Sequence, residues 1–140
     1  MDAFDADALI YAAVHGHRLG RRVRGLFPIE PLDGFAGIGS VLLLPELLSK
    51  PIRNHLENEM VELGDLLSRI DLLATDRATA ELATSLGALY GLHAADAVHL
   101  ATAIGAGADR FITNNRADFP KSITEIEITY PDDLRDPGEG

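Results

Sequence analysis

Ala94-Ala95-Asp96-Ala97-Val98-His99-Leu100-Ala101-Thr102-Ala103, followed after a break by Arg110-Phe111-Ile112-Thr113, decides the fold. The first stretch is an apolar, alanine-rich helical pattern that runs to Ala106 and stops near Gly105 and Gly107. The second reads as a short buried strand. The alternation repeats outward in both directions. Upstream, Ile70 to Ala74 reads as a strand, Asp76 as an N-cap, and Ala78 to Tyr90 as a helix that Gly91 ends. Ile52 to Ser68 reads as an amphipathic helix with Leu56, Met60, Leu63 and Leu67 on one stripe, more a core face than a partner groove. Ala36 to Val41 is a glycine-containing strand. The helix Leu42 to Ser49 follows, with Pro45 tolerable only in its first turn and Pro51 breaking it. At the N-terminus, Ala3-Phe4 is a very short strand, Leu9, Ile10, Ala13 and Val14 recur at helical spacing, and His17 to Phe27 forms a second helix. Pro28 to Gly34 is a loop. Downstream, Ile123 to Thr129 alternates as a strand.

Strands alternating with helices predict βαβ units and a mostly parallel sheet with helices on both faces. The expected class is α/β, a short, mostly parallel sheet between helical layers. One domain is expected over residues 1–130, with 131–140 as an acidic, flexible tail rich in turn formers. The chain has 140 residues, 46% hydrophobic and 24% charged, an ordinary globular composition able to build a core. No cysteine is present, which excludes a disulfide framework, a thiolate metal site and a cysteine nucleophile. No apolar run approaches the roughly 18 residues of a membrane span. The opening Met1-Asp2-Ala3-Phe4-Asp5 lacks the basic start of a secretory signal, so a cytoplasmic location and no membrane partner are expected. The net charge of −10 argues against a protein that binds nucleic acid by covering phosphates with lysine and arginine. It leaves room for bound divalent cations, which reverse the local potential, and for a basic protein partner.

In a parallel sheet the site lies at the carboxyl ends of the strands. Acids recur there: Asp5 and Asp7 after the first strand, Glu46 after the second, Asp96 at the start of a helix, and Asn115 and Asp118 after Arg110–Thr113. Clustered carboxylates are the ligands Mg²⁺ or Mn²⁺ accepts, and two such ions about 4 Å apart clamp both oxygens of a phosphodiester displacement. Each acid also has a plainer reading. Asp7 and Asp76 are good helix caps, and Asp96 suits a helix start. Glu46, among Leu42, Leu43, Leu44, Leu47 and Leu48, is harder to explain without a partner or a metal. His93 and His99 read as packing or hydrogen-bonded residues, and His15 and His17 as solvated loop residues. Arg18, Arg21 and Arg22 share a helix face that either grips RNA phosphates or balances nearby acids in solvent. Thr113 is either a support for bound water or phosphate, or an ordinary strand-end threonine.

Taken together, these segments resemble the PIN domain family. Phe4-Asp5-Ala6-Asp7-Ala8-Leu9-Ile10-Tyr11-Ala12 resembles its opening motif, Ser40-Val41-Leu42-Leu43-Leu44-Pro45-Glu46-Leu47-Leu48 its second, Ala94 to Ala103 its third, and Thr113-Asn114-Asn115-Arg116-Ala117-Asp118-Phe119 its fourth. The size is similar to that of VapC-type toxins of bacterial toxin–antitoxin systems. The resemblance implies a three-layer α/β/α sandwich and a metal-dependent endoribonuclease. In it, Asp5, Glu46, Asp96 and Asp118 are catalytic and bind Mg²⁺ or Mn²⁺, with Asp7, Asn115 and Thr113 in support. Asn115 stands where many members carry Asp. The resemblance also implies an RNA substrate, a VapB-type antitoxin and a homodimer. Two rivals stay open: a PIN-like module that binds RNA or protein without cutting, and a haloacid-dehalogenase-like phosphatase prompted by Asp5-x-Asp7. The second lacks a long apolar strand before Asp5.

Overall fold

The computed structural model describes residues 1–14, 16–27 and 34–138. The expectations for His15, for most of the loop Pro28 to Gly34 and for the last two residues lie outside these. The elements run β1 (Asp2–Phe4), α1 (Ala6–Ala12), α2 (Arg18–Arg24), β2 (Gly37–Ser40), α3 (Leu43–Arg53), α4 (Glu57–Ser68), β3 (Ile70–Leu73), α5 (Arg77–Tyr90), α6 (Ala94–Gly105), β4 (Arg110–Ile112) and β5 (Glu127–Thr129). A 3₁₀ turn at Pro131–Asp133 follows. All strand pairs are parallel, in the order β3-β2-β1-β4-β5. β1 is therefore central, with Ala3 opposite Ile38 on one side and Phe111 on the other.

Period-2 alternation of the strands sorts the core into two layers. Phe4, Ile70 and Ile112 face one cluster with Leu9, Val23, Leu43, Leu47, Leu63 and Leu67 from α1 to α4. Ala3, Ile38, Phe111 and Ile128 face the other, with Leu86 of α5 and Leu100 and Ala101 of α6. The result is the three-layer α/β/α sandwich. Short strands suffice because both faces are covered, so the sheet's central residues are buried whichever way they point.

Local choices follow the side chains. Asp76 caps α5, accepting from the Thr79 backbone N–H at 2.8 Å, and Gly91 ends that helix with φ 67°. Asp76→Ala is expected to lower stability by about 1 kcal/mol, read as a shift of the urea midpoint with an unchanged slope. Asp2 and Arg110, opposite each other on β1 and β4, form a two-armed ion pair at 2.8 and 3.0 Å.

Four expectations are corrected. Pro51 does not end α3. It lies inside that helix, which continues to Arg53, and the break comes at Asn54 to Leu56, where His55 takes φ 55°. Helix α4 accordingly starts at Glu57, not Ile52, and its buried stripe is Leu63, Leu66 and Leu67, while Leu56 is exposed. The strand expected over Ile123 to Thr129 shortens to Glu127–Thr129. Residues 131–138, assigned to the tail by composition, carry the 3₁₀ turn and bury Pro131 and Leu134. Arg22 donates to the Leu134 carbonyl at 2.9 Å and Arg21 to Asp136 at 3.1 Å, tying this segment to α2.

Candidate active site

The acid after β1 is the most deeply set. Asp5 is 3% exposed, and its backbone N–H donates to the Ile112 carbonyl at 2.9 Å, extending the β1–β4 pairing by one residue. Its Oδ2 accepts from the Thr113 hydroxyl at 2.7 Å. That hydroxyl accepts in turn from the Asn115 backbone N–H at 3.1 Å. Asn115 then clasps Asp118 in both directions: its Nδ2 donates to Asp118 Oδ2 at 2.8 Å, and its Oδ1 accepts from the Asp118 N–H at 3.2 Å. The loop after β4 is thereby shaped by side-chain bonds that end on Asp5.

Glu46 and Asp96 arrive on helices. The Ser40 hydroxyl accepts from the Leu42 N–H at 3.1 Å, turning the chain from β2 into α3, whose first turn carries Glu46. Helix α6 returns the chain to the amino edge of the sheet before β4, so its N-terminus, with Asp96 in the first turn, points toward the carboxyl edge. One turn further along α6, buried His99 places Nε2 at 2.9 Å from Glu46 Oε1.

The electrostatics shows which acids meet. Burial pushes the Asp5 carboxyl up to about 6, and the charge of Asp7 pushes the same way, while Thr113 and His99 pull back. Asp7 is raised by burial, then by the charges of Glu46 and Asp118. Asp96 is raised by burial, then by Asp118, with which it shares a hydrogen bond, and by Glu46; His99 opposes the shift. Asp7, Glu46, Asp96 and Asp118 thus form a cluster of repelling carboxyl groups, to which Asp5 is joined through Asp7. A bound cation turns that repulsion into attraction, and a donor set made of oxygens suits a hard ion such as Mg²⁺ or Mn²⁺. In this donor chemistry the residues fit such an ion. Among the described residues, no group of three or more His, Cys, Asp or Glu side chains is arranged to hold a metal ion as the site stands.

Of the four acids expected to be catalytic, Glu46, Asp96 and Asp118 interact with one another or with Asp7, and Asp5 interacts with Asp7; Thr113 is bonded to Asp5 and Asn115 to Asp118. Asp7 joins the cluster from the first turn of α1, and the N-cap position is held by Asp5, without a side-chain capping bond. The arginines behave differently. Arg21 and Arg22 hold the C-terminal segment, Arg24 donates to the Ala12 carbonyl, and Arg18 is exposed. His17 accepts from the N–H groups of Leu19 and Gly20, capping α2, and packs against the Tyr11 ring at a 45° tilt with centroids 4.8 Å apart, so it is a structural residue and not a solvated one. The residue that sequence reasoning undervalued is His99. Its signal was the spacing Asp96–His99, three apart on a helix and therefore on one face.

A parallel α/β sandwich with clustered carboxyls at its carboxyl edge defines the class. The chain belongs to the PIN domain family, whose model matches residues 3–121. PIN domains are generally nucleases and typically use a divalent metal. Among solved structures, the chain is similar to one described as "Toxin-antitoxin complex from Klebsiella pneumoniae", with a TM-score of 0.71 and 24% identity over 94% of this chain and 98% of that one. No curated protein matches the sequence. Among the described residues, no helix is long and apolar enough to cross a membrane.

Proposed function

We propose that this PIN domain is a metal-dependent endoribonuclease and the toxin of a VapBC-type pair, acting in the cytoplasm. The observation that carries the reading is the cluster of Asp5, Asp7, Glu46, Asp96 and Asp118, delivered by four separate chain segments to one edge of the sheet, where burial and neighbouring acid charges raise the proton affinity of Asp5, Asp7 and Asp96. Asp5, Glu46, Asp96 and Asp118 hold Mg²⁺ or Mn²⁺. When bound, the ion supplies an acidified water and neutralises charge on the scissile phosphate. The chain's own part is positional. Thr113 fixes the rotamer of Asp5, and Asn115 fixes Asp118. Exposed Arg18 is available to a phosphate outside the cluster.

The antitoxin reading draws on the toxin–antitoxin complex whose fold this chain shares. A groove between α1 and α4 supports it: Ile10, Ala13, Val14, Val61 and Leu63 line it, Glu59 and Glu62 stand at its margin, and Ile10, Val14 and Val61 are exposed. An apolar trough with acidic margins suits an amphipathic helix bearing lysine or arginine. A homodimer is part of the same proposal.

The test is cleavage of total cellular RNA by purified protein with Mg²⁺, Mn²⁺ or EDTA, beside Asp96→Asn. Metal-dependent fragments that vanish in the variant support the nuclease. Well-folded protein that cuts nothing and binds little Mn²⁺ redirects the reading to a binding module, which the amide at position 115 favours, whereas one that binds Mn²⁺ yet cuts nothing points to a nuclease with a narrow substrate. Asn115→Asp replaces an amide by a carboxylate beside Asp118 and is expected to tighten Mn²⁺ binding about tenfold in a calorimetric titration. Unchanged or weaker binding places residue 115 outside the metal shell.

A further inference from the structure

We propose that His99 is a positioning residue for Glu46: its Nε2–H holds the Glu46 carboxylate over the acid cluster. The proposal rests on the metal-site reading above. Glu46 sits on a helical turn whose neighbours, Leu44 and Pro45, are exposed, and its own side chain is 32% exposed. A glutamate with three rotatable bonds and open solvent beside it spreads over many rotamers unless something holds it. His99 does so from the opposite layer of the active-site edge. Its side chain is 0% exposed, and the contact links α3 to α6 across 53 residues of chain.

The other ring nitrogen fixes the chemistry of this contact. His99 Nδ1 is buried and has no hydrogen-bond partner. With the proton on Nδ1, an N–H is orphaned in the interior and the bare Nε2 lone pair faces a carboxylate oxygen. With the proton on Nε2, the N–H donates to Glu46 and only a lone pair is left in the apolar surroundings. The second tautomer removes both penalties, so His99 donates to Glu46. A ligand carboxylate whose rotamer is set before the cation arrives loses less conformational entropy on binding it. Asp96, His99 and Glu46 thereby form one unit, since α6 supplies a ligand from its first turn and a holder for another ligand from its second.

The proposal is tested first on metal-free protein. Long-range ¹H–¹⁵N correlation spectra are expected to show His99 protonated at Nε2, with that proton's resonance shifting in Glu46→Gln. An Nδ1–H tautomer overturns the proposal. Calorimetric titration with Mn²⁺ follows for the wild type, His99→Leu, His99→Gln, Glu46→Gln and the double variant Glu46→Gln/His99→Leu. His99→Leu is expected to weaken Mn²⁺ binding about tenfold. His99→Gln, whose amide N–H reaches a similar place, is expected to recover most of that loss. In the Glu46→Gln background the His99→Leu change is expected to add nothing, because its effect runs through Glu46. Binding by His99→Leu equal to wild type, or a loss that adds in full to that of Glu46→Gln, overturns the proposal. If His99→Leu does not fold, the glutamine variant and the tautomer still decide. A wild type that binds no Mn²⁺ overturns the metal-site reading instead, and the Nε2–H resonance then decides the contact without it.

Discussion

Asp5→Asn is expected to abolish metal-dependent cleavage and, in the same protein without metal, to raise the melting temperature. The two effects share one cause. Asp5 is held in the interior, where burial lifts its carboxyl to about 6 against an ordinary 3.8. In the folded chain it binds its proton more tightly than in the unfolded chain. Ionising it therefore costs stability that is missing above about pH 6 and regained as pH falls toward 4. The cost is on the order of 3 kcal/mol at neutral pH. Asparagine removes the charge and keeps an oxygen for the Thr113 hydroxyl, though its amide N–H group gives some of the gain back when left without a partner. A net rise of roughly 3–8 °C is expected by scanning calorimetry at pH 7.5, shrinking at pH 4.5. The activity loss is on the order of a thousandfold, the worth of a metal contact of about 4 kcal/mol. A variant that melts below the wild type at pH 7.5 would show that the Asp5 carboxyl is not under strain. One that still cuts RNA normally would remove it from the site. The wild type, titrated with Mn²⁺, is expected to recover the stability that the charge removes, because the ion binds the folded state alone.

Gly20→Ala carries the largest expected loss of stability. Helix α2 crosses α1 so closely at this point that an added Cβ would stand 1.9 Å from the Tyr11 carbonyl oxygen and 2.7 Å from its carbon. Both are backbone atoms inside another helix, so no side-chain rotation relieves the clash. The helices must separate, and α1 is packed against the core through Ala8, Leu9 and Ala12, all buried. The expected cost is about 3 kcal/mol or more, net of the roughly 1 kcal/mol that alanine gains over glycine in a helix. Gly64→Ala supplies the control. It is a glycine inside α4 with open space where the Cβ would go, so the same substitution there is expected to stabilise by about 1 kcal/mol. Urea denaturation of the pair reads the difference. Equal effects at both sites would mean that the α1–α2 contact is not a close crossing.

Both predictions separate what is written along the chain from what is created by packing. The segments that announced themselves did so by short-range physics. Asp76 followed by a helical pattern and closed by Gly91 is a cap and a left-handed stop, and both are found. The alternation of helical patterns and short apolar runs required a parallel sheet, and five parallel strands are found. Pro51 was misread because a proline rule is local. Its consequence depends on whether the preceding turn can give up a hydrogen bond, and the actual corner is set four residues later at His55.

The acids of the site were legible one by one, each just beyond a strand or at a helix start. Sequence position cannot say which of them meet, because the interactions join distant segments, as between Asp7 and Asp118. The reading of Asp7 as a cap fails for that reason: at local scale a first-turn acid satisfies the helix, and only the arrival of Glu46 and Asp118 gives it a second meaning. The same holds for Arg21 and Arg22, a plausible phosphate grip along a helix, whose partners come from residues 132–136. By itself the sequence determined the elements, the parallel sheet and the inventory of oxygen ligands, because propensity, periodicity and capping act within a few residues. The tertiary structure alone decided that Asp5 is buried enough for its carboxyl to be pushed up, that Thr113 and His99 hydrogen-bond two of the carboxyls, and that Gly20 admits no side chain. Burial, hydrogen bonding and close approach belong to pairs of distant segments, and they exist only once the chain has folded.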